Sequence, residues 1–234
     1  MTGETTISHR RYTSALLVFT ILHALFFFAS LVAIPILAPG SKIPNPFAND
    51  ATARAFFLSA STAVRVSDFL QFASALCLGI ACALLGTVSS VAKLRVLPTL
   101  LIVGGGCGAT IMLALSALFS WAIVSPGAAD LGPALHAFQF LPFLLGGPGW
   151  AGFFAIFTVG VTTAIGDALP RWLRSFGYVL SFISVVATLV LLSIVFSPCL
   201  PIARFPGFLW LIAVCVVLTR RHNQSFGQKL LREE

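Results

Sequence analysis

The residues that could do chemistry in this chain are few, and their spacing restricts what they can do. Asp68 and Gln71 lie three residues apart, as do His136 and Gln139; on helices each pair would share one face. If those two helices meet, a carboxylate, an imidazole and two amides converge in a cup suited to a small polar ligand or a proton. The alternative is that the four groups simply wet a surface. His23 stands alone in a long apolar run, roughly 13 Å along a helix from its start. Two readings stay open for it. Cys107, Thr158, Thr162, Ser181 and Ser184 can reach a similar depth and line a polar pocket with it. Otherwise the imidazole donates to a backbone carbonyl or to a Ser or Thr on a neighbouring helix.

Other chemistries find less support. The five cysteines, Cys77, Cys82, Cys107, Cys199 and Cys215, form no CxxC and no Cys/His pairing of the kind zinc needs, so no metal site is expected. The run Gly104-Gly105-Gly106-Cys107-Gly108 has no Lys-Ser/Thr after it and lies in an apolar stretch, which excludes a phosphate loop. Gly104 and Gly108, at i and i+4, instead offer a small-residue face to a neighbouring helix. Asp167 before Arg171, and Arg65 before Asp68, have the spacing of helix ion pairs. A hydrolase or transferase needs clustered acid, base and nucleophile. A haem protein needs two axial ligands at one level, whereas His23 and His136 belong to different levels. The expectation is therefore no catalytic site and no cofactor, with a haem-binding redox protein kept as an alternative.

The elements that position these residues follow from composition. Of 234 residues, 58% are hydrophobic and 9% charged, and the mean hydropathy is +1.00; soluble chains carry about 25% charge. The net charge of +7 thus points to membrane topology and not to nucleic acid. A bilayer span takes about 20 apolar residues. Hydropathy places spans at about 14–38, 67–90, 98–124, 147–165, 176–196 and 205–219, a single integral membrane domain. The stretch Ala134 to Ile165 is too long for one straight span. A break at Gly146-Gly147-Pro148-Gly149 would leave Leu131 to Leu145 as a surface helix or re-entrant segment. Asn49 or Asp50 can cap a second surface helix over Ala51 to Ala60. The fold class expected is an all-α, polytopic bundle of six transmembrane helices with short surface helices in the outer loops.

Charge orients the bundle, because short cytoplasmic loops retain Lys and Arg. An inside amino terminus places Arg10, Arg11, Lys93, Arg95, Arg171, Arg174, Arg220, Arg221, Lys229 and Arg232 on the cytoplasmic side. Only Lys42, Arg54, Arg65 and Arg204 then fall outside. Both termini are expected in the cytoplasm. Trp121, Trp150, Trp172 and Trp210 lie near span ends, where an indole prefers the headgroup level.

Two motifs near the carboxy terminus, Leu169-Pro170-Arg171-Trp172-Leu173 and Phe205-Pro206-Gly207-Phe208-Leu209-Trp210, carry a family likeness. Over roughly the last 70 residues the chain resembles uncharacterised small multi-span membrane proteins of bacteria. That resemblance implies a bacterial inner-membrane location and no activity. The function expected is a non-enzymatic membrane protein that binds a small or hydrophobic ligand or supports a membrane-protein complex. Its partners are then the lipid bilayer, a small-molecule ligand or another membrane protein, with no nucleic acid. A secondary transporter of a small solute is the alternative from another class, with Gly146 to Gly149 as its broken helix.

Overall fold

Lipid offers no water to a free N–H or C=O, so a chain this apolar satisfies its backbone by forming helices. The computed structural model describes residues 2–41, 43–44, 50–91, 96–125 and 134–233, with side chains over 12–41, 43–44, 51–88, 96–125 and 138–221. Among the described residues there are eight α-helices and no strand: α1 (Thr2–Leu37), α2 (Asp50–Ser59), α3 (Ser61–Val91), α4 (Val96–Ile123), α5 (Ala134–Leu144), α6 (Trp150–Ala164), α7 (Arg171–Thr188) and α8 (Cys199–Glu233). Six stretches are long and apolar enough to cross a bilayer: Tyr12–Leu37, Ser61–Val88, Val96–Ile123, Phe138–Ala164, Arg171–Leu191 and Ile194–Arg221. The chain is a multi-pass membrane protein.

Short connections force consecutive spans to run antiparallel, and the packing follows chain order. α1 packs on α3, α3 on α4, α4 on α6, α6 on α7 and α7 on α8, and the ring closes where α8 returns to α1. Leu16, Leu78, Leu85, Ile102, Leu113, Phe157, Leu173, Leu180 and Trp210 fill the interior. The helix expected after Asn49 or Asp50 forms as α2, and Phe56 packs with Val64 and Val124 at the end of the bundle where α1 finishes, called here the Leu37 end.

Three local expectations need correction. Gly146 to Gly149 does not break the chain into a surface helix and a span, nor does it turn back as a hairpin. The helix continues through a single π-turn, Leu145–Gly149, whose flanking residues keep right-handed helical angles. Pro148 has no N–H to donate, and the widened turn absorbs the lost bond, with the Trp150 amide reaching Leu145 O. The fourth span therefore starts near Phe138 and not at Gly147.

Of the two glycines expected to let a neighbouring helix approach, Gly108 does so and Gly104 does not. Gly104 faces open space, and Gly108 accommodates the ring of Phe153. It is Gly105 that meets the backbone of α6 at Phe157, while Gly160 of α6 meets α4 in return, its missing Cβ standing 2.7 Å from Ile102 N. A run of glycines offers several small faces, and only the neighbour decides which is used.

Two of the four tryptophans belong to the interior and not to the headgroup level. Trp150 is 3% exposed and Trp210 is 1% exposed, the latter donating from Nε1 to Leu173 O at 3.0 Å. Trp121 and Trp172 are exposed at the periphery.

Candidate functional site

One group of polar side chains lies along the seam where α1, α3, α4 and α8 meet the π-turn. The deepest level holds His23, which is 3% exposed. Its Nδ1 lies 3.0 Å from Ser74 O and 2.8 Å from Ser74 Oγ, and Ser74 Oγ donates to His23 O at 2.8 Å. A carbonyl only accepts, so Nδ1 carries the hydrogen and the serine proton goes to the α1 carbonyl. The reading in which His23 donates to a neighbouring helix is the one the geometry supports. The other polar residues expected at this depth are engaged elsewhere. Thr158 bonds to Phe154 O and Ala155 O, Ser181 to Ala155 O, and Ser184 to Leu180 O. Cys107 points outward, and Thr162 lines a hollow near the opposite end of the bundle.

One turn nearer the Leu37 end, the same helix faces carry Phe27 on α1, Gln71 on α3 and Arg204 on α8. These line a cavity of about 390 Å³, together with Ser116 of α4 and Gly146 and Trp150 of the α5–α6 path. Gln71 Nε2 donates to Ser116 Oγ at 3.3 Å, and Ser116 donates to Pro142 O at 2.8 Å. Gly146 permits this approach, since a Cβ there would stand 2.5 Å from Ser116 Oγ. Above this level, Asp68 takes a hydrogen bond from Ser120, and its Oδ2 has no partner among the described residues.

Arg204 dominates the cavity. Its guanidinium lies 4.4 Å from the Trp150 ring centre and 5.1 Å from that of Phe27, and Nη2 donates to Gly146 O. The exposed negative face of each ring attracts the cation. Among the described residues no carboxylate lies within ion-pair distance of it. Trp150 stacks on Phe154 with centroids 4.5 Å apart, and its Nε1 is buried without a partner among the described residues. Among the described residues the cavity thus presents a positive charge with no carboxylate partner between largely apolar walls.

Of the cup expected from Asp68, Gln71, His136 and Gln139, the first two share a face of α3 and bond to serines of α4, and among the described residues neither bonds to an α5 side chain. Gln139 lies on α5 with Nε2 buried and unpartnered among the described residues. His136 is on the same helix, but its side chain lies outside the described residues.

Sequence reasoning missed Ser74, Ser116, Ser120 and Arg204. Ser116 and Ser120 are four apart on α4, matching Asp68 and Gln71 three apart on the antiparallel α3, and that spacing was a usable signal. Arg204 was counted with the outer loops because α8 was expected to start at Phe205. The helix starts at Cys199, with Pro201 in its first turn, where proline is well tolerated, and this carries Arg204 inside.

The hollow near the opposite end, about 350 Å³, is lined by Thr162, Gly166, Asp167, Arg174 and Tyr178. Asp167 pairs there with Arg174 at 3.5 Å and not with Arg171. The expected i, i+4 pair required one continuous helix, whereas Gly166–Ala168 is a 3-10 turn and Leu169 is extended before Pro170. Arg65, the other expected helix partner, donates to Val124 O at 2.7 Å and leaves Asp68 to Ser120. Among the described residues no group of three His, Cys, Asp or Glu side chains is placed to hold a metal.

No protein-family model matches the chain, nor does any curated protein or any solved structure.

Proposed function

We propose that this protein is a non-enzymatic binding protein of a bacterial inner membrane, with both termini in the cytoplasm, and that its Arg204 cavity holds a small amphipathic ligand. One observation carries the reading: a guanidinium set between Trp150 and Phe27 in a cavity of about 390 Å³, with no carboxylate near it among the described residues. An ionisable group inside a membrane protein is costly unless something compensates it, which makes it a functional candidate by default. The apolar wall suits the non-polar part of a ligand, while Arg204, Gln71 and Ser116 orient its polar part. These three groups bind and orient; none is a general base beside a nucleophile.

The test is extraction of the purified protein followed by mass spectrometry of what it retains. Wild type is expected to retain a stoichiometric amphiphile that an Arg204→Met variant lacks; identical extracts would refute the reading. The topology has its own test. With the termini inside, the Leu37 end faces outward, so an impermeant thiol reagent should label Cys199 in intact cells. Protection of Cys199 combined with labelling of a cysteine introduced into the carboxy-terminal tail would invert the bundle.

A secondary transporter is the second reading, favoured by the π-turn beside the cavity. Transporters place substrate where a helix departs from regular α geometry near a buried polar group, and the π-turn Leu145–Gly149 widens the fourth span beside Arg204. Uptake into proteoliposomes decides between them: substrate-dependent flux abolished by Arg204→Met supports transport, and no flux across a broad solute panel removes it.

A further inference from the structure

Deepening the binding role proposed above, and resting on it, we infer that the Arg204 cavity is a lipid site. It takes the anionic headgroup of a membrane lipid, which enters sideways through the seam between α1 and α8. Three observations on different parts of the cavity converge on this occupant.

The first is charge. Arg204 spends one donor on Gly146 O and has no carboxylate in ion-pair range among the described residues. A guanidinium carries five N–H donors and matches oxyanions in a planar fork. An anion in the cavity would therefore meet both a formal positive charge and free donors. Among the described residues, the other polar side chains that line the cavity near Arg204 are the amide of Gln71 and the hydroxyls of Ser116 and Ser197. No acidic side chain among the described residues lines the cavity to repel such a group.

The second is the wall. Apart from these polar groups the lining is apolar, with Phe27, Leu31, Leu200 and Phe205 prominent. A free inorganic anion has no use for such a surface, whereas an acyl chain attached to the anion covers it.

The third is the entrance. Leu31 and Phe205 line the cavity and are also 41% and 40% exposed on the outside of the bundle. They belong to faces of α1 and α8 that otherwise present Leu25, Phe28, Val32 and Leu209, all exposed and apolar, as lipid-facing residues are. Phe28 and Phe205 stack across the seam with ring centres 5.9 Å apart, and these two exposed rings part for the headgroup to enter. The cavity thus has one wall continuous with the hydrocarbon surface, and a lipid can place its headgroup at Arg204 while its chains remain in the bilayer.

Native mass spectrometry of the full-length protein in detergent tests this. Phosphatidylglycerol, phosphatidylcholine, a neutral monoacylglycerol and sn-glycerol 3-phosphate are titrated separately against wild type, Arg204→Met and a control, Arg171→Met, at an exposed cation. Wild type should bind phosphatidylglycerol at least about tenfold more tightly than phosphatidylcholine, and Arg204→Met but not Arg171→Met should lose that preference. Binding of glycerol phosphate without any preference for phosphatidylglycerol would overturn the lipid source and leave a soluble-anion site. Equal binding of all amphiphiles, unchanged by Arg204→Met, would overturn the anion inference and leave the amphiphile-binding role standing. No binding of any probe would overturn both. Should Arg204→Met fail to fold, a phosphatidylglycerol with a photoreactive headgroup on wild type gives the answer: labelling of peptides containing Gln71 and Trp150, which line the cavity, supports the site, and labelling confined to the outer lipid-facing residues refutes it.

Discussion

Removing the hydroxyl of Ser74 probes the deepest level of the polar seam, and the geometry sets the size of the effect. Ser74 Oγ donates to His23 O at 2.8 Å, whereas His23 Nδ1 donates mainly to the main-chain oxygen of Ser74 at 3.0 Å. Ser74→Ala therefore deletes one interhelical hydrogen bond and leaves the imidazole still satisfied. Hydrogen bonds between transmembrane helices average about 0.6 kcal/mol and reach about 1.7, so a loss of about 1 kcal/mol is expected. His23→Leu deletes the bond to Ser74 O but leaves the serine proton on the main-chain oxygen of residue 23, which makes its expected cost about 1 kcal/mol as well. The two side chains touch each other only through the 2.8 Å Oγ···Nδ1 contact. Their coupling in a double-mutant cycle should then be no more than about 0.5 kcal/mol. Detergent-driven unfolding in mixed micelles, followed by circular dichroism, measures all four corners of the cycle. Nitrogen NMR of the imidazole should show the hydrogen on Nδ1 in both wild type and Ser74→Ala. A loss above about 3 kcal/mol for His23→Leu would mean that a buried charge had been left unpaired, and a hydrogen found on Nε2 alone would refute the assignment outright.

The glycine faces give a paired prediction in the same unfolding assay. Gly160→Val should cost at least about 1–3 kcal/mol through overpacking against α4, because its Cβ would stand 2.7 Å from Ile102 N. Gly104→Leu, which meets open space, should stay within about 0.5 kcal/mol of wild type; equal effects at the two sites would contradict the α4–α6 packing. Trp210→Phe removes the 3.0 Å bond to Leu173 O and should lower stability by about 1 kcal/mol, with no change if the indole sits at a headgroup level. Asp167→Asn should leave the melting temperature unchanged, since its 3.5 Å pair with Arg174 is exposed; a clear drop would show that the pair holds the α6–α7 turn.

What the sequence reveals here is depth, and what it conceals is rotation. Hydropathy locates six spans because one charged residue in a stretch such as Ser14 to Ala38 would stand out against so apolar a background. In a soluble helix the polar face reveals the buried one. In lipid both faces are apolar, so nothing in Gly104 to Gly108 says that Gly105 meets α6 while Gly104 meets open space. The same blindness put Trp150 and Trp210 at the membrane surface, since a tryptophan at a span end looks alike whether it turns outward or into the core. Pro148 between glycines signals an irregularity but not its form, because an unwound break and a π-turn answer the same missing N–H. Of the site, Gln71 was legible from its spacing with Asp68. Arg204 was not, because a cation near a span end is ordinarily a loop residue, and only the six residues of helix before Phe205 place it inward.

Whether the cavity beside Arg204 is occupied in a membrane is the most direct test of the account. A structure determined in nanodiscs of mixed phosphatidylcholine and phosphatidylglycerol should show non-protein density between α1 and α8, with its polar end within hydrogen-bond distance of the Arg204 guanidinium. A cavity closed by protein side chains, with Arg204 turned out toward the headgroups, would contradict it.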